Sequence, residues 1–375
     1  MKTSLKTAVA CGLRVTGVDR LLGDLTGASK IPAIISYHRV VESFSESSHN
    51  SIPSMLVSTR MFEQHLDWIG RHYEFVSLDD IGNRLETGTR SSKPTAAIAF
   101  DDGYSDVYYN AFPVLARKGI PATMFVVTGL TGNQQTLIHD KLFLLLKSAF
   151  ADARQTTGKV VELFRNAGIE TPEMEMIGRM KPNPYAVMTA LLHGVPQMQA
   201  NRMIQVLDER FGRGDRSYEG LSLLNWKMIE EMQAAGMTIG SHTRTHVLLT
   251  NESRETVIDE VTGSRHDLEK QLCRKVQHFA YPDGRCDGDS TAAVAAAGYR
   301  FAYGTCLHRD SEYPLITIPR KVLWEKSSVD SDGRFSSAIM SCHMNWVFDL
   351  GSRCKHNHER RTALSNLQTE LTIEN

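Results

Sequence analysis

The chain has 375 residues, enough for one large domain or two ordinary ones, and its 42 basic and 43 acidic residues leave a formal net charge of −1. With no global field of either sign, nucleic acid, an anionic membrane surface and a polyanionic substrate are poor matches, and a neutral or mixed partner is the better expectation. The six cysteines (Cys11, Cys273, Cys286, Cys306, Cys342 and Cys354) form no C-x-x-C pair and no disulfide-like spacing, so they read as free thiols.

At the N-terminus the apolar stretch AVACGL is cut off by Arg14, too early for a secretory signal core and far too early for a membrane span. Residues 1–29 read instead as a weakly amphipathic helix, centred on 4–22, that packs on the domain or touches a membrane surface. No signal peptide is evident, and the expected location is the cytoplasm, with or without that membrane association.

The first strand is predicted over 32–37, where the β-branched run of IISYHRV gives way to a loop at His38. Read alone, such a histidine is a satisfied side chain at a strand end. RMFEQHLDWIGRHY has helical spacing, and residues 74–77 can supply a further strand. AAIAF (96–100) runs into Asp101, Asp102 and Gly103; SDVYYNAFPVLARKG is a helix ending in a glycine suited to a left-handed turn; ATMFVVTG (122–129) is the next strand. That β-α-β order is the signature of a parallel sheet.

From about 133 to 220 the alternation stops, and three stretches of helical period, broken by turns such as KPNPY, form an inserted layer that serves as a lid over the site or as a buttress. Strands and helices then resume: a helix over 225–236, a strand over 237–242 ending in SHTRTH, a helix over 255–272, FAYPDG (279–284), a helix over 290–298 and a strand over 299–305. Six or seven strands in this order predict an α/β fold, a distorted (β/α)7 barrel with a helical insertion. Residues 30–325 form that domain, and 326–375 a helical or disordered tail in which the HNH of RCKHNHERR reads as solvated rather than metal-binding.

Three fragments carry chemistry. Two adjacent carboxylates at a strand end, Asp101 and Asp102, repel unless a cation or a shared proton resolves them. His242 and His246 stand four apart, and a helical turn would place both imidazoles on one face. Joined to one carboxylate at the same barrel mouth, they make a His₂-carboxylate site with open positions, suited to zinc or another borderline divalent ion, while the second carboxylate stays free to take a proton from water. The Pro-Asp-Gly turn of FAYPDG can aim a backbone N–H into the pocket.

In this order and each at a strand end, AFDDG, SHTRTH and FAYPDG resemble the first three motifs of the polysaccharide deacetylase family, the NodB homology fold of carbohydrate esterase family 4, over about residues 30–130 and 220–325. The resemblance implies a metal-dependent hydrolase that removes N-acetyl groups from a sugar of a polysaccharide, oligosaccharide or glycolipid intermediate. It makes Asp101 the general base, makes Asp102, His242 and His246 the ligands of a divalent metal, zinc by preference, and puts Tyr37, Pro282, Asp283 and Gly284 on the substrate and oxyanion side. Where many members carry an arginine that braces the base, this chain has Ala280, and Arg320 of ITIPRKV is the candidate to replace it. The family's late Leu-x-His acid is not evident: His308 and His343 lie in segments that do not match. In the permuted branch that resembles poly-N-acetylglucosamine deacetylases, a Tyr-His pair after the first strand takes its place, which makes His38 the general acid. Two other readings remain: another amide hydrolysis such as deformylation, and a catalytically silent glycan-binding protein for which Ala280 is the best support.

Overall fold

The apolar runs fold as strands of one nearly closed parallel barrel in the computed structural model, which describes residues 3–25, 27, 32–89, 91–133, 135–212, 214, 218, 220–349 and 358. In chain order the strands are β1 (Ala33–Tyr37), β2 (Arg39–Val41), β3 (Leu56–Ser58), β4 (Glu74–Phe75), β5 (Thr95–Phe100), β6 (Ala122–Val126), β7 (Thr238–Ser241), β8 (His278–Ala280), β9 (Phe301–Gly304), β10 (Ile318–Pro319) and β11 (Lys321–Val322). The sheet order is β10-β9-β8-β7-β6-β5-β1-β11, and every pairing along it is parallel. β10 and β11 are separated by one residue, Arg320, so a single segment pairs with β9 at its start and with β1 at its end. That segment closes the barrel and makes seven staves, the predicted distorted (β/α)7 form. Residues 74–77 do not form a stave: β4 merely accompanies the first two residues of β5.

Strand periodicity explains the core. Ile34, Ala97, Ala99, Phe125, Ala280, Tyr303 and their neighbours fill the lumen, while the alternate residues Ile35, Ile98, Phe100, Met124 and Phe279 pack outward against the helices. Gly240 belongs to the inward set, and a Cβ there would stand 2.6 Å from the Phe125 ring, so only glycine lets that ring fill the barrel. Parallel order puts the C-terminal ends of β1, β5, β7 and β8 on one face, and with them His38, Asp101, His242 and the turn after Ala280.

The interruption between β6 and β7 is helical, as expected: Ile138–Ala149, Thr157–Asn166, Met174–Gly178, Pro184–Gly194 and Gln197–Phe211 pack around a core of their own that includes Leu142, Leu146, Phe164, Leu191 and Leu207. At the N-terminus two helices replace the single one expected, Thr3–Thr16 and Val18–Leu25, because Gly17 takes a left-handed conformation (φ 73°) that ends the first. The first packs through Ala10 on the helix Ser337–Met344, and Asp19 accepts from the Ser341 hydroxyl at 2.5 Å. The start of the predicted tail is thus part of the folded domain. The remainder, residues 350–357 and 359–375, lies outside the described residues and includes most of RCKHNHERR. No helix among the described residues is long and apolar enough to cross a membrane.

Candidate active site

Asp101 follows the inward phase of Ala97 and Ala99, so its carboxylate enters the top of the lumen while its N–H donates to the Tyr37 carbonyl at 2.9 Å. Arg320, at the closure between β10 and β11, donates from Nη1 to Asp101 Oδ1 at 2.5 Å and to Ser36 Oγ at 2.9 Å, and the Ser36 hydroxyl donates to Asp101 Oδ2 at 3.3 Å. Arg320 is 1% exposed and Asp101 2%. Burial pushes the Asp101 carboxyl up, but the Arg320 guanidinium, with His242 and His38 behind it, outweighs burial and holds it below the ordinary carboxylate value. His38 faces the same space: its Nε2 lies 3.9 Å from Asp101 Oδ2, too far for a hydrogen bond, and its Nδ1 is buried without a partner.

Asp102 leaves the strand direction. Its φ of 72° turns the carboxylate away from Asp101 toward the histidines after β7. Nε2 of His242 stands 3.3 Å and Nε2 of His246 3.1 Å from Asp102 Oδ1, and one ligand atom from each of the three residues lies within 4.8 Å of the others. His242 Nδ1 is 2.7 Å from the Ala280 carbonyl, which fixes the proton there and leaves the Nε2 lone pair facing the carboxylate, the arrangement that orients metal-binding histidines. Both Asp102 oxygens are buried without a hydrogen-bond donor. An ionised carboxylate so placed is costly to bury, and a cation shared with two imidazole lone pairs would remove that cost. On this donor set a divalent metal fits.

The two histidines converge by a route other than the helical turn expected. Thr243 (φ 67°) and His246 (φ 64°) are both left-handed. Glu260, on the helix Arg254–Leu272, accepts from the Arg244 N–H at 2.8 Å, the Thr245 N–H at 2.9 Å and the Thr245 hydroxyl at 2.6 Å, while Thr243 Oγ1 accepts from the His246 N–H at 2.9 Å. A carboxylate collecting three donors therefore shapes the loop, and no sequence pattern marks Glu260 for it.

In the turn after β8, Asp283 is left-handed (φ 54°), and Asp283 and Gly284 both line the cavity. Pro282 is buried and is not among the lining residues. Tyr37 corrects the expectation made for it. As the residue after Ser36 it points out of the lumen, is fully buried against Phe62 and Phe100, and sets its hydroxyl 3.2 Å from His65 Nδ1, so it does not face a substrate. His343 is likewise remote, with Nε2 2.8 Å from the Ser327 carbonyl, and His308 stacks on His358 outside the cavity.

The insertion supplies two histidines that sequence reasoning missed. His139 Nε2 lies 2.9 Å from the Tyr104 hydroxyl, which donates to Asp140 at 2.6 Å, and 3.9 Å from Asp102 Oδ2. His193 donates from Nε2 to Asp283 Oδ2 at 2.6 Å and accepts from Arg285 Nη1 at 3.2 Å. Together the barrel mouth and the insertion enclose a cavity of about 370 Å³. Neither histidine sits in a recognisable motif, and only the docking of the insertion brings them to the mouth.

Comparison with known proteins agrees with this geometry. A family model described as polysaccharide deacetylase matches residues 88–171 and 194–302, just over half of the chain. The chain is 30% identical over 115 residues to the Bacillus subtilis protein YxkH, provisionally named a polysaccharide deacetylase, covering 30% of this chain and 38% of that one. It is 32% identical over 108 residues to a poly-β-1,6-N-acetyl-D-glucosamine N-deacetylase of Staphylococcus aureus (strain MSSA476), covering 27% of this chain and 37% of that one. The matched region thus spans little more than a third of the length of these relatives. Among solved structures, the Streptococcus pyogenes deacetylase PplD in complex with acetate superposes with a TM-score of 0.52 at 20% identity, over 84% of this chain and 97% of that one, which shows a shared fold.

Proposed function

The chain belongs to the polysaccharide deacetylase family, and on that premise we propose that it is a metal-dependent N-deacetylase of an N-acetylated sugar. The observation that carries the reading is the buried Asp102 carboxylate, without a donor and faced by His242 and His246, one residue from a second carboxylate that Arg320 keeps ionised. A divalent ion held by Asp102, His242 and His246, zinc by the chemistry of this donor set, would supply Lewis acidity toward the amide carbonyl and acidify the attacking water. Asp101 takes the proton of that water as its oxygen adds to the carbonyl carbon. The Asp283 N–H donates to the oxyanion that forms. Protonated His38 then gives its proton to the nitrogen as the C–N bond breaks, leaving acetate and a free amine. Arg320 and Ser36 orient the base from behind. A catalytically silent fold drew its support from Ala280, and with Arg320 against Asp101 that support is gone.

The name of the Staphylococcus aureus relative favours N-acetylglucosamine as the sugar. A cytoplasmic location, in which the protein acts on a biosynthetic intermediate and the N-terminal helices touch a membrane surface, is part of this proposal. The test is metal analysis of the purified protein together with acetate release from N-acetylglucosamine oligomers. A protein that binds about one equivalent of zinc and releases acetate supports the reading. A zinc-loaded protein that releases formate from N-formyl substrates, and no acetate from any N-acetyl sugar, would overturn it.

A further inference from the structure

The wall that the insertion contributes to the cavity differs in chemistry from the floor that the barrel contributes. The floor is made of ionisable groups: His38, Asp101, Asp102, His242 and His246. On the wall, the helix Pro184–Gly194 presents Tyr185, Met188 and Leu192, whose spacings of three and four residues put them on one helix face. On the adjoining side of the same helix Val187 and Leu191 are buried in the core of the insertion, to which Met188 also belongs and against which Leu192 packs. This helix is therefore apolar over a wide arc, one edge of which packs in the insertion's core while the other edge lines the cavity.

The cavity edge forms a track. Tyr185 is 47% exposed at the rim, Met188 is 5% exposed, and Leu192 is followed by His193, which holds the Asp283 turn at the floor. Seven helical residues rise about 10 Å, the length of an extended alkyl chain of roughly eight carbons. Ile138 and Leu248, both half-buried, add apolar lining to the same cavity. A sugar residue laid along this wall would find few partners for its hydroxyls, since on this helix only Thr189 and, at the rim, the Tyr185 phenol bring hydroxyls to the cavity and His193 is already bonded to Asp283 and Arg285. Unpaired hydroxyls on a dry wall cost binding, whereas methylenes gain by it.

We propose that the Tyr185–Met188–Leu192 stripe binds an apolar chain carried by the sugar as its glycosidic aglycone, so that the substrate is a lipid-linked saccharide. This rests on the N-deacetylase reading above. The experiment compares, on the zinc-loaded protein, acetate release from methyl and octyl N-acetylglucosaminide, from the N-acetylglucosamine pentamer, and acyl release from N-octanoylglucosamine, with amphiphiles kept below their micellar concentrations. Each methylene fully buried is worth about fourfold in binding, and a chain covered on one side should lower KM for the octyl over the methyl glycoside at least about tenfold. Tyr185→Ser and Leu192→Asn, with folding checked by thermal unfolding, should bring that ratio back toward one. Acetate release from the pentamer and the methyl glycoside with no octyl advantage overturns the inference and leaves the deacetylase reading standing. A preference for the N-octanoyl sugar, or an octyl advantage that survives both substitutions, also overturns it. Absence of acetate from every substrate overturns the underlying reading instead.

Discussion

Replacing Arg320 by methionine isolates the group that keeps the proposed base ionised. Arg320 and Asp101 are 1% and 2% exposed, and the substitution leaves a buried carboxylate whose remaining side-chain donor is the Ser36 hydroxyl at 3.3 Å. Removing one partner of a buried ion pair costs about 3–5 kcal/mol. With a urea slope of about 1–3 kcal/mol per molar, the unfolding midpoint at pH 7.5 should fall by more than about 1 M. The deficit has a definite pH dependence. Held below the ordinary carboxyl value, Asp101 contributes stability that is fully present above about pH 4 and is lost as pH falls through its folded value. In Arg320→Met burial, the largest single influence, is opposed only by His242, His38 and the Ser36 hydroxyl and pushes the carboxyl up relative to the wild type, so the gap between the two proteins is widest at neutral pH and closes toward pH 4. The acidic limb of kcat should move to higher pH in the same variant, and Arg320→Lys should restore part of both effects. A deficit independent of pH, or an unmoved acidic limb, would show that Arg320 acts through its packing on the Phe125 ring, whose centroid lies 5.5 Å from its guanidinium carbon, and not through the carboxylate.

The other expectations concern the catalytic and metal-binding groups. His38→Ala should lower kcat by about 10²–10⁴ with the metal retained, and turnover near that of the wild type would remove His38 from the acid's role. Asp101→Asn should lose nearly all activity yet still bind one ion by metal analysis. Chelation should abolish acetate release and zinc should restore it, while His242→Ala should fail to rebind zinc in equilibrium dialysis; activity indifferent to chelation refutes the metal assignment. Glu260→Ala frees three donors in the loop that carries His246. It should weaken zinc affinity by about 10–100-fold, measured by competition with a chromophoric chelator.

Much of this was legible in the chain because strand and turn signals are local. The inward phase that brings Asp101 to the lumen follows from alternation within AAIAFDD, and a parallel barrel sends every strand end to one face, so Asp101, Asp102, His242 and His246 could be grouped from spacing and order alone. The same alternation, followed one residue further, would have turned Tyr37 away from the site: Ser36, not Tyr37, shares the inward face with Asp101.

What the sequence could not settle depends on contacts between distant segments. That Arg320 reaches Asp101 follows from a barrel closed by a strand split at that residue, 219 positions away along the chain. That SHTRTH bends through left-handed residues is due to Glu260, whose partners are named by no motif. His139, His193 and the apolar stripe of the insertion reach the mouth only because a separate helical core docks there. The sequence by itself determined which residue types stand at the strand ends, since period and turn chemistry act over a few residues. Only the tertiary structure decided which of them meet, since burial in a closed barrel pairs charges and apolar faces that chain order leaves far apart.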